Sequence, residues 1–232
     1  MKIAVINPNS TVSMTEKIGE AAKIVASKGT VIRHSCPKDS PASIEGHYDA
    51  VQAMPGLLKE LTVAEKWGAD AYVIACFDDP AISACREKVT GPVVGICEAS
   101  MRMAALIAPS FSVVTTLQRS VTIIEELAHH YGMDRYCRKV RAAEIPVLDL
   151  EHDGSAAKKK IKSEIMKAIK EDHCEAIILG CAGMADLTGD LTKECGLPVI
   201  DGVSCAVKLC EALVGGGLST SKINSYAPPR QK

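Results

Sequence analysis

The sequence predicts an α/β protein of two similar lobes, each a parallel sheet flanked by helices. The lobes are related by a pseudo-twofold, with the site in the cleft between them. Three observations carry this. Short runs that are apolar at every position alternate with longer segments of helical period, the pattern of parallel strands covered on both faces. The second half of the chain repeats the order of the first. Landmarks also recur at one interval: Ile6 with Val114, Cys76 with Cys181, and Pro92 with Pro198 are separated by distances that agree within a few residues. The expected division is residues 1–97 plus roughly 207–232 in the first lobe and 98–206 in the second.

In chain order, 2–6 reads as a strand. Asn9, Ser10 and Thr11 offer caps to a helix over 13–27. A second strand covers 30–35. A long amphipathic helix covers 49–67 and closes at Gly68. Residues 71–75 form a third strand, apolar on both faces, followed by a short helix at 81–88 and a fourth strand at 92–96. In the second half the strands fall at 111–114, 138–145, 176–179 and 198–200. The helices between and after them fall at 120–131, 157–173, 187–195 and 204–214. Residues 97–110 carry no assigned element. The segment from Gly215 onward, rich in Gly, Ser and Pro, is expected to be irregular or weakly ordered.

The composition excludes several classes. Lys and Arg total 27 against 28 Asp and Glu, so the 232-residue chain lacks the basic surplus of a nucleic-acid binder. No apolar run reaches the roughly 18 to 20 residues that span a bilayer. The first nine residues carry one Lys and a short apolar run ending in Asn7-Pro8-Asn9, unlike a signal-peptide cleavage pattern, so a cytoplasmic location is expected. The ten cysteines are therefore expected to be reduced. No two of them form a CxxC pair, and none lies near a His in a zinc-ligand pattern, so no metal site is expected.

Two cysteines stand apart from the rest. Cys76 directly follows Tyr72-Val73-Ile74-Ala75, and Cys181 directly follows Ile177-Ile178-Leu179-Gly180. Each sits at the carboxyl end of a buried strand, before a turn and a helix, where parallel sheets place their chemistry. Nearby backbone N–H groups and a helix N-terminus are expected to lower the thiol pKa. A single strand-end cysteine is as readily a space-filling residue; a matched pair requires that coincidence twice. One thiol per lobe suits racemisation. One group removes a proton from one face of a carbon, and the other returns a proton to the opposite face. The carbon must neighbour a carbonyl, and the enolate needs donors such as backbone N–H groups. Neither a metal nor an organic cofactor is required.

Four segments then carry a resemblance: Ile6-Asn7-Pro8-Asn9-Ser10-Thr11, Cys76-Phe77-Asp78-Asp79-Pro80, Val113-Val114-Thr115-Thr116 and Gly180-Cys181-Ala182-Gly183-Met184. In order and over nearly the whole chain, they resemble the aspartate/glutamate/hydantoin racemase superfamily, most closely its hydantoin racemase branch, which also holds allantoin racemases. The resemblance implies a ligand held between two lobes, interconversion of D- and L-5-substituted hydantoins, no cofactor and a homo-oligomer. It makes Cys76 and Cys181 the catalytic thiols. Asn7, Asn9, Thr115 and Thr116 would face the ligand, and the turns Phe77-Asp78 and Ala182-Gly183 would offer N–H donors to the oxyanion.

Plainer readings stand beside these. Asn7 and Asn9 also suit an Asx turn and cap around Pro8. Thr115 also suits a helix cap, and Asp78 and Asp79 also suit capping positions in a solvated turn. Glu45 and His47 read as surface residues, Lys158 to Lys160 as a solvated helix face, and His129 and His130 as helix-end residues. Among functions, allantoin racemisation would call for a more polar pocket, and Phe77 hints at an apolar wall. An amino-acid racemase would need partners for carboxylate and ammonium that the sequence does not place. A decarboxylase would use a single cysteine. A two-lobe solute-binding module has no reason to place two matched thiols, and a redox sensor would join Cys76 to Cys181 in a disulfide.

Overall fold

A computed structural model describes residues 1–151 and 154–230. Two four-stranded parallel sheets form the frame. The first holds β1 (Lys2–Ile6), β2 (Val31–Ser35), β3 (Ala71–Ile74) and β4 (Val93–Gly95), in the order β2-β1-β3-β4. The second holds β5 (Phe111–Thr115), β6 (Cys137–Ala142), β7 (Ala176–Gly180) and β8 (Val199–Asp201), in the order β6-β5-β7-β8. The second order is the first shifted by four strands. The duplication read from the landmark residues is thus a duplication of topology.

The helices are α1 (Val12–Val25), α2 (His47–Trp67), α3 (Ile82–Lys88), α4 (Ile96–Ile107), α5 (Gln118–His130), α6 (Gly154–Glu171), α7 (Thr188–Cys195) and α8 (Gly202–Gly215). Seven of these match expected helices within a few residues. The exception is α4, which fills the unassigned stretch. It escapes the period argument because it is apolar on almost every side: Ile96, Cys97, Ala99, Ser100, Met101 and Ala104 are all buried, and only Glu98 and Arg102 mark a polar edge.

The reason for that burial defines the architecture. Helix α4 follows the last strand of the first sheet but packs on β7 and β8 of the second. Helix α8 follows the last strand of the second sheet and packs on β3 and β4 of the first. The two exchanged helices lie against each other. They come closest at their first residues, where a Cβ on Gly202 would stand 2.5 Å from the Ile96 carbonyl oxygen and 2.7 Å from its Cβ. On this packing we propose to count the carboxyl-terminal segment with the first lobe and 98–206 as the second.

One apolar core therefore runs through both lobes. It joins Ile3, Val5 and Val73 of the first sheet to Val113 and Ile178 of the second through Met101, Ala104, Val203 and Val207. The opposite sheet faces are covered separately. Ala4, Ile6 and Ile74 pack under Leu57 and Leu61 of α2, and Val114, Ile177 and Leu179 pack under Ile161 and Ile165 of α6. This strict alternation along each strand is the period-two rule of a sheet buried on both faces. The tail is irregular, as expected, yet it is tied down. Thr220 donates from its N–H to Thr90 O and from its hydroxyl to Gly91 O. Lys222 Nζ donates to the carbonyls of Arg86 and Glu87 at the end of α3. Among the described residues no helix is long and apolar enough to cross a membrane.

The crossing at Gly202 gives opposite signs to two Gly→Ala changes. Gly202→Ala must push backbone apart and is expected to lose about 1 to 3 kcal/mol. Gly189, in α7 with open space around it, should gain about 0.4 to 1 kcal/mol as Ala through the unfolded chain. Urea denaturation midpoints check this; equal shifts in the two variants would refute the close crossing.

Candidate active site

Both sheets turn their topological switch points to the same place. In each order the chain reverses direction of winding between the first and third strands of the lobe, and ligands bind at the carboxyl ends of such strands. Asn7 and Asn9 follow β1, and Cys76, Phe77 and Asp78 follow β3. Thr115 ends β5 and Thr116 follows it, while Cys181 and Ala182 follow β7. All of these residues line one cavity of about 30 Å³. Of the residues singled out from the sequence, only Gly183 is not in the lining. It is buried behind it, where a Cβ would meet Leu150 Cδ1 at 3.3 Å and Cys181 Sγ at 3.7 Å.

The two cysteines occupy matching turns. Asp79 N–H donates to Cys76 O at 3.1 Å, and Met184 N–H donates to Cys181 O at 3.2 Å. A 3-10 helix, Ala182–Leu187, continues the second turn. Gly180 precedes Cys181 because Thr115 crowds it: a Cβ there would lie 2.9 Å from Thr115 Cβ and 3.1 Å from its Cα. None of the ten cysteines forms a disulfide.

The expectation of a lowered thiol pKa is corrected at Cys76. The residue touches the cavity, but protein atoms crowd its sulfur, and burial pushes the thiol well above its ordinary value. The Asp78 carboxylate adds to that rise, and Cys181 and Asp79 contribute less. The Asp78 backbone N–H works the other way. Local sequence shows the strand end and the turn; it does not show how closely the turn is packed.

The asparagines line the cavity and form Asx turns, without capping α1. Asn7 Oδ1 accepts from Asn9 N–H and Asn9 Oδ1 accepts from Thr11 N–H, two successive Asx turns. Asn7 Nδ2 donates to Asn9 Oδ1 and to Thr15 Oγ1, so both its protons are used within the loop. Thr115 is not a helix cap. Its hydroxyl donates across to Gly180 O at 3.0 Å and ties β5 to the residue before Cys181. Thr116 and Ser120, both nearly buried, also line the cavity.

The two aspartates after Cys76 do not sit in a solvated turn. Asp79 is 4% exposed and accepts three hydrogen bonds, from Cys97 N–H, Glu98 N–H and the Tyr131 hydroxyl. Burial pushes its carboxyl up to about 7 against the pull of those donors. Asp78 lines the cavity, and its buried Oδ2 has no hydrogen-bond partner among the described residues. Burial pushes Asp78 up to about 6; His47 opposes the rise and Asp49 adds to it.

Sequence reasoning missed the apolar lining from loops and helices: Met14 of α1, Ile44 from the loop before α2, and Val147 from the 3-10 helix Val147–Glu151. It also undervalued Glu45. That carboxylate accepts from Val147 N–H at 2.9 Å, a bond between the loops of opposite lobes that bear Ile44 and Val147. Arg119, at the start of α5, packs on Gly46 beside it. The space left holds about 30 Å³, room for only a few waters. His129 and His130 end α5 as expected, and Lys158 is held by Asp190 and Glu194 of α7. Among the described residues no group of three or more His, Cys, Asp or Glu side chains is arranged to hold a metal.

Comparison with known proteins bears on the fold and the family. The family model described as Asp/Glu/hydantoin racemase matches residues 3–210. A hydantoin racemase of Rhizobium meliloti is 53% identical over the whole chain and 96% of its own length. A hydantoin racemase of a Pseudomonas species, strain NS671, is 46% identical over the whole chain and 93% of its own length. Among solved structures, an allantoin racemase from Klebsiella pneumoniae superposes with a TM-score of 0.98 at 46% identity, over 100% of this chain and 95% of that one.

Asp78 supplies a pH-dependent test. Its folded pKa of about 6 lies above the ordinary 3.8. Stability from this group is therefore full below about pH 4 and lost as the pH rises through about 6. Asp78→Asn is expected to be more stable than the parent by about 1 to 3 kcal/mol at pH 8 and equal to it near pH 4. It should also move alkylation of Cys76 to lower pH, because a negative neighbour is gone. Thermal melts at both pH values and an iodoacetamide rate profile measure the two effects. A difference in stability that persists at pH 4 would contradict this account.

Proposed function

The chain belongs to the Asp/Glu/hydantoin racemase family, and from that premise we propose that it interconverts D- and L-5-substituted hydantoins without a cofactor. Cys76 and Cys181 are the acid and base on the two faces of C5. The observation that carries this reading is the meeting of two strand-end thiols, one from each lobe, on one cavity.

The chemistry follows from the placement. C5 of a hydantoin lies between a ring nitrogen and the C4 carbonyl, so loss of its proton leaves an enolate with charge on O4. A thiolate on one side takes the C5 proton, and the C5–H electron pair passes into the ring. The thiol on the other side then gives its own proton to C5 from the opposite face. The product is the other enantiomer, and the two sulfurs have exchanged protonation states. The oxyanion is met by N–H groups of Phe77 and Ala182 in the two turns, with the hydroxyls of Thr115 and Thr116 and the loop of Asn7 and Asn9 beside the ring. Gly183, outside the lining, shapes the second turn.

The 5-substituent separates this from a second reading, allantoin racemisation, which is favoured by the close superposition on the Klebsiella enzyme. Met14, Ile44, Phe77 and Val147 give the cavity an apolar side suited to an alkyl or aryl substituent more than to a ureido group. The same proposal includes a cytoplasmic location, where two working thiols stay reduced. It also includes a homo-oligomer, for which the exposed Leu106 and Ile107 at the end of α4 offer apolar surface.

Polarimetry on each pure enantiomer of a 5-alkyl hydantoin, with allantoin in parallel, tests the activity and ranks the substrates. Cys76→Ser and Cys181→Ser should each lower racemisation on the order of a thousandfold while melting within a few degrees of the parent. Full racemisation in either single variant would eliminate the two-thiol mechanism.

A further inference from the structure

Asp79 does work that the two-thiol chemistry does not by itself require. Its backbone closes the turn that begins at Cys76, through the N–H donated to Cys76 O. Its carboxylate leaves that turn for the amino end of α4. Oδ1 accepts from Cys97 N–H at 3.1 Å, and Oδ2 accepts from Glu98 N–H and from the Tyr131 hydroxyl, each at 2.9 Å. Tyr131 follows α5, in the second lobe. One carboxylate thus joins the Cys76 turn, the helix exchanged between lobes, and the far lobe.

The duplication shows that this arrangement is not the simplest way to cap α4. In the second half, Asp201 ends β8 and caps α8 locally, its Oδ1 accepting from Ser204 N–H at 2.7 Å. The matching position in the first half is Gly95, and a Cβ there would collide with the Asp79 carboxylate. The first half thus has a glycine where a local cap could stand, and its cap comes from the turn that carries Cys76. Asp79 also holds a left-handed φ of 42°, a conformation that costs a non-glycine residue free energy and persists only where its surroundings fix it. The turn so fixed is the one that begins at Cys76, whose carbonyl accepts from the Asp79 N–H.

We propose that Asp79, clamped by Tyr131 and the first turn of α4, is a positioning residue that fixes the turn carrying Cys76 and so holds its thiol in place opposite Cys181. The proposal deepens the two-thiol reading and rests on it. Asp79 touches no substrate; it acts through the turn.

Tyr131→Phe removes one donor and keeps the packing, and Asp79→Asn turns one acceptor oxygen into an NH2 that opposes one backbone N–H, of Cys97 or of Glu98. Two readouts are needed. Kinetics on a 5-alkyl hydantoin should show kcat down about tenfold in Tyr131→Phe with KM within about twofold. Separately, in a Cys181→Ser background, the iodoacetamide rate at Cys76 is followed against pH by peptide mass spectrometry. Displacement of the turn should shift its midpoint by half a unit or more in Tyr131→Phe, which keeps the Asp79 charge; in Asp79→Asn the lost charge by itself lowers it. If the parent protein racemises nothing, the functional reading fails, while the alkylation profiles still decide the positioning role. A folded variant of either kind with both effects supports the proposal. It is overturned if both variants fold and match the parent, or if Asp79→Asn cannot fold while Tyr131→Phe matches the parent, since Asp79 would then serve stability alone.

Discussion

The crossing of α4 and α8 at Ile96 and Gly202 is the constraint from which the rest of the molecule follows. Each helix leaves its own sheet and covers the other, and the pair meets where only a glycine fits. The apolar surface on one face of each sheet is then buried in a single core rather than in two. Separating the lobes would expose both inner sheet faces and both exchanged helices, so the frame does not flex there at small cost. Two half-sites made by one topology are thereby held face to face. At the mouth, by contrast, the loops bearing Ile44, Glu45 and Val147 meet through one side-chain to backbone bond.

Within that frame, electrostatics oppose the chemistry. A thiolate is the reactive form of cysteine, yet burial, Asp78 and Cys181 all disfavour a negative charge on Cys76. The mutual repulsion of the thiols is useful here. Two groups that share one site and repel each other ionise one at a time, and racemisation needs one base and one acid together. The backbone of its own turn, through the Asp78 N–H, is the counterweight available to Cys76. It depends on a turn that the sequence alone closes only with strain, at Asp79 and again at Ala81, both with positive φ.

Most of the frame was legible in the sequence because the central strands β1, β3, β5 and β7 are covered on both faces and leave nearly unbroken apolar runs, while the edge strands β2 and β6, which carry charged residues, were read from their place between helices. Cys76 and Cys181 were legible because duplication made them comparable: neither position is informative alone. What escaped has a common cause. The period of α4 is hidden because two different surfaces cover it, one from each lobe. The raised thiol of Cys76, the bond from Glu45 to Val147 and the retreat of Gly183 behind the cavity wall all depend on long-range packing. Asp79 looked like a turn residue because its partners, Cys97, Glu98 and Tyr131, lie far along the chain, and one of them belongs to the helix that went unseen.

The duplicated backbone carries unequal charge. After Cys76 come Asp78 and Asp79; at the matching positions after Cys181 stand Gly183 and Met184, without charge. An anion therefore meets two carboxylates beside one sulfur and none at the same positions beside the other. For a racemase this inequality has a bounded consequence. Enantiomers have equal free energy in water, so the equilibrium constant is one, and kcat/KM for the two hands must be equal however different the two thiols are. The asymmetry can appear only in kcat and KM taken separately, as a tighter but slower hand and a looser but faster one. A symmetric fold with an asymmetric charge pattern thus divides binding and turnover between the enantiomers without favouring either as product.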